Sequence, residues 1–482
     1  MQQDAFDLIL ANATVFDGQR SPRFKADVAI RGDRIAEVGA LADRPARQRI
    51  DLGGKALAPG FIDAHTHDDL ALLTQPTLPA KLSQGITTVI TGNCGVSIAP
   101  VDFGGRKPTA PMDLFDATGE AFRYPDFDAY VQTLERSPAA LNAALLVGHT
   151  SLRLGAMQDL TRTANADEIA RMRDRVDEAL DAGAIGVSTG LFYEPAIAAT
   201  TEEVIEVCRP MSRRGGVYCT HMRNEAEGVI DSLEETFRIG AELGVPVVVS
   251  HHKIMGRPNF GRSSQTLPLI AERMKRQKVC LDCYPYAASS TILSWHRARI
   301  ANKVLITWSR PHPEYNGMDL AEVSRRMGLS PEETVAQLLP AGAIYFSMHE
   351  DDVQRILGFE ETMIGSDGLP HDARPHPRLW GSFPRVLGHY SRSLGLFPLE
   401  TAVWKMTGLT AGNFGLTDRG VIRAGAFADL TVFDPETVGD AATFEDPERP
   451  ATGIEQVWVN GALAWTEGAA TGARTGRVLR RA

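Results

Sequence analysis

Apolar runs of about four to eight residues, each closed by Gly, Asn, Asp or His, recur along the chain and read as short strands. Near the start, FDLILANATVFDG, ADVAIRGDRIAEVG and RIDLGGKALAPG are such runs, separated by turns. ADLTVFDP and IEQVWVNGALAWTEG repeat the texture near the end. One small β-domain built from both termini is the expectation. Between the ends, strand and helix signals alternate. Strands are predicted at Gly60–His67, Thr87–Cys94, Ala143–His149, Ala184–Thr189, Gly216–His221, Val245–His251, Val279–Tyr284 and Thr362–Asp367. In NADEIARMRDRVDEALDAG, Ile169, Met172, Val176 and Leu180 share one helical face and Gly183 is a stop. Thr200 and Glu203 have the spacing of a capping box.

Eight apolar strands alternating with helices predict an α/β fold, a (β/α)8 TIM-like barrel. The expected division is 1–59 and 416–482 for the β-domain and 60–415 for the barrel. Residues 287–348, rich in Arg, Trp and Tyr, are too many for one helix and read as an insertion between strands 7 and 8.

Composition narrows the partners. The 482 residues are 43% hydrophobic and 23% charged, with a formal net charge of -10, which argues against a nucleic-acid partner. No apolar stretch of about 18 residues suggests a membrane span, and MQQDAFDLILANATVFDG lacks the pattern of a secretory signal. Five cysteines do not make a disulfide framework. A cytoplasmic protein acting on a small molecule is expected; its oligomeric state is not legible.

The polar exceptions fall at strand ends, where a barrel places its active site. His65 and His67 close the first predicted strand, Cys94 the second, His149 the third, His221 the fifth, His251 the sixth and Asp367 the eighth. In His65-Thr-His67 the two imidazoles face one way, roughly 7 Å apart along a strand. Repetition at strand ends points to metal binding. Cys280 and Cys283 form a lone CxxC whose members point to opposite strand faces, so they read as packing, as do Cys208 and Cys219.

APGFIDAHTH, the later single histidines and the strand-ending Asp resemble the amidohydrolase superfamily. TGNCG, THMRNE, SHHK, YPY and IGSDGLPHDARPHPRLWG resemble its D-aminoacylase branch, across nearly the whole chain. The resemblance implies hydrolysis of N-acyl-D-amino acids with one tight zinc on Cys94, His221 and His251. It puts His65, His67 and Asp367 around a neighbouring position, a second, weak site. The fourth strand, AIGVSTGLFY, lacks the bridging lysine of two-metal relatives. By the same resemblance Asp367 moves the proton, with His67 near the oxyanion. Lys253, Tyr284, Ser289 and Arg378 are expected to hold the α-carboxylate, and Tyr193 to close the pocket.

The substrate side chain is harder to read. In STILSWHRARIANK, Arg297 and Arg299 face one pocket if the segment is extended, which suits a second carboxylate as in an N-acyl-D-glutamate. A solvated basic stretch is the alternative reading, with Arg299 the choice if one arginine selects the substrate. Tyr345 and Met348 could add apolar surface for D-Leu or D-Met. A cyclic-amide hydrolase of the hydantoinase kind and a non-catalytic scaffold are rival functions. TGNCG and the absent lysine disfavour the first; the complete set of ligand positions disfavours the second.

Overall fold

The elements follow from why each segment buries its apolar face. In this computed structural model, residues 5–103, 108, 110–116 and 118–481 are described. Five strands come first: β1 (Phe6–Val15), β2 (Phe24–Arg31), β3 (Arg34–Gly39), β4 (Ala46–Asp51) and β5 (Ala56–Pro59). The barrel strands begin with β6 (Phe61–Asp63), β7 (Ile86–Thr91), β8 (Asn142–Gly148) and β9 (Gly186–Gly190). They continue with β10 (Val217–His221), β11 (Val247–Val249) and β12 (Val279–Cys283). After β13 (Ser289–Ile292), β14 (Val304–Ser309) and β15 (Ala341–Tyr345), the eighth barrel strand is β16 (Thr362–Ile364). The last four used here are β17 (Leu430–Phe433), β18 (Ile454–Val459), β19 (Ala462–Thr466) and β20 (Ala469–Ala470).

The path β16-β12-β11-β10-β9-β8-β7-β6 is parallel throughout, and Val478–Leu479 adds to β8. Segments beyond β6 and β16 bring its two edges together: Ala64 N donates to Ile364 O and Asp367 N to His65 O. The strands are buried along their whole length, as expected where helices cover one face and the barrel interior the other. Both ends of the chain share the second sheet, β20-β19-β18-β17-β5-β1-β2-β3, with β5 antiparallel to β17 so that Leu57 opposes Val432. The insertion carries its own sheet, β13-β15-β14, over a separate apolar cluster that includes Ile306, Val323 and Leu338. No described helix is long and apolar enough to cross a membrane.

The helix at Ala166–Ala182 has the full capping box, Asn165 with Glu168, and stops at Gly183, whose φ of +109° suits glycine. Met172, Val176 and Ala179 are its buried apolar face, with Ile169 and Leu180 half-buried beside them. The expected box at Thr200 is only half made. Thr200 accepts from Glu203 N, but the Glu203 carboxylate instead binds Arg153 and the backbone N–H of Ala164. A fully buried arginine outbids a cap for that carboxylate.

Candidate active site

The functional side chains stand where strands stop and the backbone turns. The sequence reading runs strands through Cys94, His251 and Asp367; hydrogen-bonded pairing ends earlier, at Thr91, Val249 and Ile364. These three residues have φ of +53°, +36° and +49°. Non-glycine residues adopt that left-handed backbone only where surrounding structure enforces it, a common mark of functional sites. His221 closes β10 as expected. His149 does not join the group: it opens a helix at His149–Ala156 and lies 3.6 Å from Glu203.

Cys94 Sγ lies 3.3 Å from both His65 Nε2 and His251 Nε2. Asp367 Oδ1 is 3.2 Å from His67 Nε2 and 3.7 Å from His65 Nε2. The rings of His65 and His67 are 5.5 Å apart, consistent with two side chains sharing one site. Ligand atoms of His65, Cys94, His251 and Asp367 all fall within 4.8 Å of one another. So do those of His221, Glu225 and His251, making two overlapping groups that share His251. Cys94 and His221 thus fall in different groups, and His221 packs on His251 with ring centres 4.4 Å apart. One cavity is lined by His67, Cys94, His221, His251 and Asp367.

The charges are arranged for ligation. Burial pushes the Cys94 thiol up, but the charges of His65 and His251 outweigh it and hold the thiol well below its ordinary value. Burial holds His221 well below the usual imidazole range, and neither of its ring nitrogens has a hydrogen-bond partner. A buried imidazole with neither nitrogen hydrogen-bonded, sharing a cavity with a thiolate and a second imidazole, fits a borderline-soft divalent metal. Asp367 is kept ionised: burial raises it, but Arg378 and then His251 bring it well below the ordinary carboxylate value.

Two carboxylates not singled out by sequence support this group. Asp282, from β12, accepts from the backbone N–H of His251 at 2.9 Å and lies 3.5 Å from His65 Nδ1. It thus orients His65 and holds the strained His251 backbone. Glu225 Oε1 accepts from Lys253 Nζ at 2.5 Å and lies 3.2 Å from His251 Nδ1. Carboxylates behind ligating histidines fix ring orientation and basicity.

The expected substrate residues divide. Lys253, Ser289 and Tyr193 line the cavity, and Ser289 Oγ has no hydrogen-bond partner. Tyr284 and Arg378 lie behind it: the Tyr284 ring has Arg378 Cζ at 4.6 Å and Lys253 Nζ at 5.8 Å. Arg378 Nη1 is 2.8 Å from Asp367 Oδ2, and Nη2 donates to Ser290 O at 3.2 Å. The arginine pair is separated. Ser294 caps a helical turn at Trp295–Ala298, so the segment is not extended and its two arginines diverge. Arg297 is 3% exposed, lines the cavity, stacks 3.8 Å over Phe192 and leaves Nε and Nη2 without hydrogen-bond partners. Arg299, the expected selector, is exposed and lies 3.3 Å from His296 Nδ1. Tyr345 and Met348 are buried outside the cavity lining: Tyr345 OH donates to Ile292 O, and the Met348 sulfur accepts from Tyr284 OH.

A parallel barrel with a thiolate, imidazoles and an ionised carboxylate at the C-terminal ends of its strands is the architecture of a metal-dependent hydrolase. Residues 48–275 and 360–464 match the amidohydrolase family, leaving out the whole insertion. A D-aminoacylase of Alcaligenes xylosoxydans xylosoxydans is 60% identical over 99% of this chain and 98% of its own. An N-acyl-D-aspartate deacylase of the same organism is 50% identical over 98% of this chain and 95% of its own. The crystal structure of N-acyl-D-glutamate deacylase from Bordetella bronchiseptica, with zinc and a phosphonate mimic of the tetrahedral intermediate, is 46% identical. It superposes with a TM-score of 0.95 over 99% of this chain and 100% of that one. The chain belongs to the D-aminoacylase branch of the amidohydrolase family.

Proposed function

We propose that this enzyme hydrolyses N-acyl-D-amino acids to a carboxylate and a free D-amino acid, using one zinc and favouring acidic side chains. Cys94, His221 and His251 would hold the zinc, with His65, His67 and Asp367 around a neighbouring, weaker position. Bound there, zinc supplies Lewis acidity toward the amide carbonyl and lowers the pKa of water from 15.7 toward about 7.

The protein does the rest. Asp367, ionised beside Arg378, accepts the proton of the attacking water and returns it to the departing nitrogen. His67 Nε2, 3.2 Å from the same carboxylate, is placed to donate to the oxygen that gains charge. Lys253 and Ser289 in the wall, with Arg378 and Tyr284 behind them, orient the α-carboxylate, and Tyr193 closes over His221 at 5.0 Å between ring centres. Linear amides fit this arrangement; nothing in it favours a cyclic amide.

Arg297 carries the acidic preference. It is a buried guanidinium with free donors, facing a cavity whose α-carboxylate partners are other residues. A charge-assisted bond there is worth roughly 1.5–3 kcal/mol, or about ten- to a hundredfold in specificity. Steady-state kinetics on N-acetyl-D-glutamate and N-acetyl-D-leucine test this. The wild type is expected to prefer D-glutamate, and Arg297→Leu to narrow or reverse the ratio while Arg299→Leu leaves it unchanged. A wild-type preference for D-leucine or D-methionine derivatives would remove the acidic reading and favour the broad one.

A further inference from the structure

The cavity lining is chemically divided, with cations and apolar side chains beside different members of the metal-binding group. The polar part lies by His221 at the end of β10 and His251 just beyond β11. Arg297 reaches it over Phe192, whose ring is 5.6 Å from His221, and Lys253 Nζ lies 2.7 Å from His251 Nδ1. The other part is apolar: Val96, Pro111, Phe115 and Leu369. Val96 and Leu369 stand two residues beyond Cys94 and Asp367, and the Phe115 ring meets His67 edge-on at 5.7 Å. Phe115 thus stands beside His67, whereas Lys253 and Arg297, the cations in the cavity lining, stand beside His251 and Phe192.

We infer that the apolar wall is the acyl-group subsite and that Phe115 sets the length of acyl chain it admits. This rests on the deacylase reading. An N-acyl-amino acid has an anionic end and an apolar end on either side of its scissile amide. Placing a carboxylate against Val96, Phe115 and Leu369 leaves a buried charge without a partner among them, whereas Lys253 and Arg297 supply partners elsewhere in the lining. The acyl chain thus goes to the apolar wall. Phe115, itself 5% exposed, lines the cavity with its ring edge-on to His67, the position from which it would limit a longer chain. Where an apolar pocket does accept a methylene, each one changes specificity by a factor of about four.

The test measures kcat/KM on N-acetyl-, N-butanoyl- and N-hexanoyl-D-glutamate, with the same series on D-leucine. Wild type is expected to favour acetyl over hexanoyl. Phe115→Ala is expected to raise the hexanoyl-to-acetyl ratio at least about tenfold, with the glutamate-to-leucine ratio held within about twofold. Phe115→Leu and Leu369→Ala should move the acyl ratio the same way by less, and they serve if the alanine variant is poorly folded. A merely structural role for Phe115 lowers all rates together and leaves both ratios alone. An unchanged acyl ratio in variants that still hydrolyse the acetyl substrates would overturn the subsite while leaving the deacylase intact. Wild-type inactivity on every D-substrate would overturn both.

Discussion

At the scale of single residues, the site depends on side chains that would be unstable alone. Asp367 sits in left-handed backbone, buried in the cavity wall, and stays ionised because Arg378 and the histidines face it. Its proposed work is proton transfer, so Asp367→Asn should retain the fold and the zinc on Cys94, His221 and His251 yet lower kcat at least about a hundredfold. Metal analysis alongside single-turnover kinetics checks this; near-normal turnover with zinc in place would remove Asp367 from the mechanism. These residues were legible because His, Cys and Asp interrupted otherwise apolar strands. Glu225 was not, since it follows His221 in a loop, where no periodicity says which way a carboxylate points. Asp282 did leave a signal: a charge inside the apolar run VCLDC must find a partner in the barrel. Arg299 was the expected selector, but it is Arg297 that the structure brings to the cavity. Ser294 ahead of Trp295 was the cue, because a serine cap starts a helical turn and sends residues two apart to different sides.

At the scale of elements, the open question is how strands at the two ends of the barrel path present their residues together. A buried lysine joins them. Lys81 Nζ bonds Asp63 Oδ2 at 2.8 Å, Thr66 Oγ1 at 2.8 Å and Ser366 Oγ at 2.9 Å, with Asp68 Oδ2 at 3.1 Å. Thr66 lies between His65 and His67, and Ser366 precedes Asp367. Asp63 completes the link by accepting from Ser366 N and Ser366 Oγ. Removing the cation leaves buried carboxylates unpaired, which typically costs about 3–5 kcal/mol. Lys81→Met is therefore expected to lower thermal stability by several degrees or more and to reduce kcat more than KM. Lys81→Arg should recover part of both. Thermal melts with kinetics decide it, and a methionine variant as stable and active as wild type would show that the link is idle. None of this was readable beforehand: KLSQG looks like an ordinary helix face in the sequence, and only the closure of the barrel buries it.

At the scale of the whole molecule, alternating strand and helix signals were enough for the barrel, because fully buried parallel strands demand continuous apolar runs. The shared terminal sheet was legible from matching β texture at both ends. Strand ends were not, since the pairing stops short of the chemistry and the following turns are set by tertiary contacts. The insertion illustrates the same limit. Its length could be read, but its helical turn, which puts Arg297 rather than Arg299 into the cavity, could not. The barrel supplies the metal group, one wall the cations and the other the apolar surface, and together they imply a substrate handled in one hand only. The most direct measurement is hydrolysis of N-acetyl-D-glutamate and N-acetyl-L-glutamate by zinc-loaded protein, followed as release of the free amino acid. The D-enantiomer should be cleaved with a kcat/KM at least about a hundredfold above the L-enantiomer, and chelation should abolish the activity. Preferential cleavage of the L-enantiomer, or full activity after the zinc has been removed, would contradict the account.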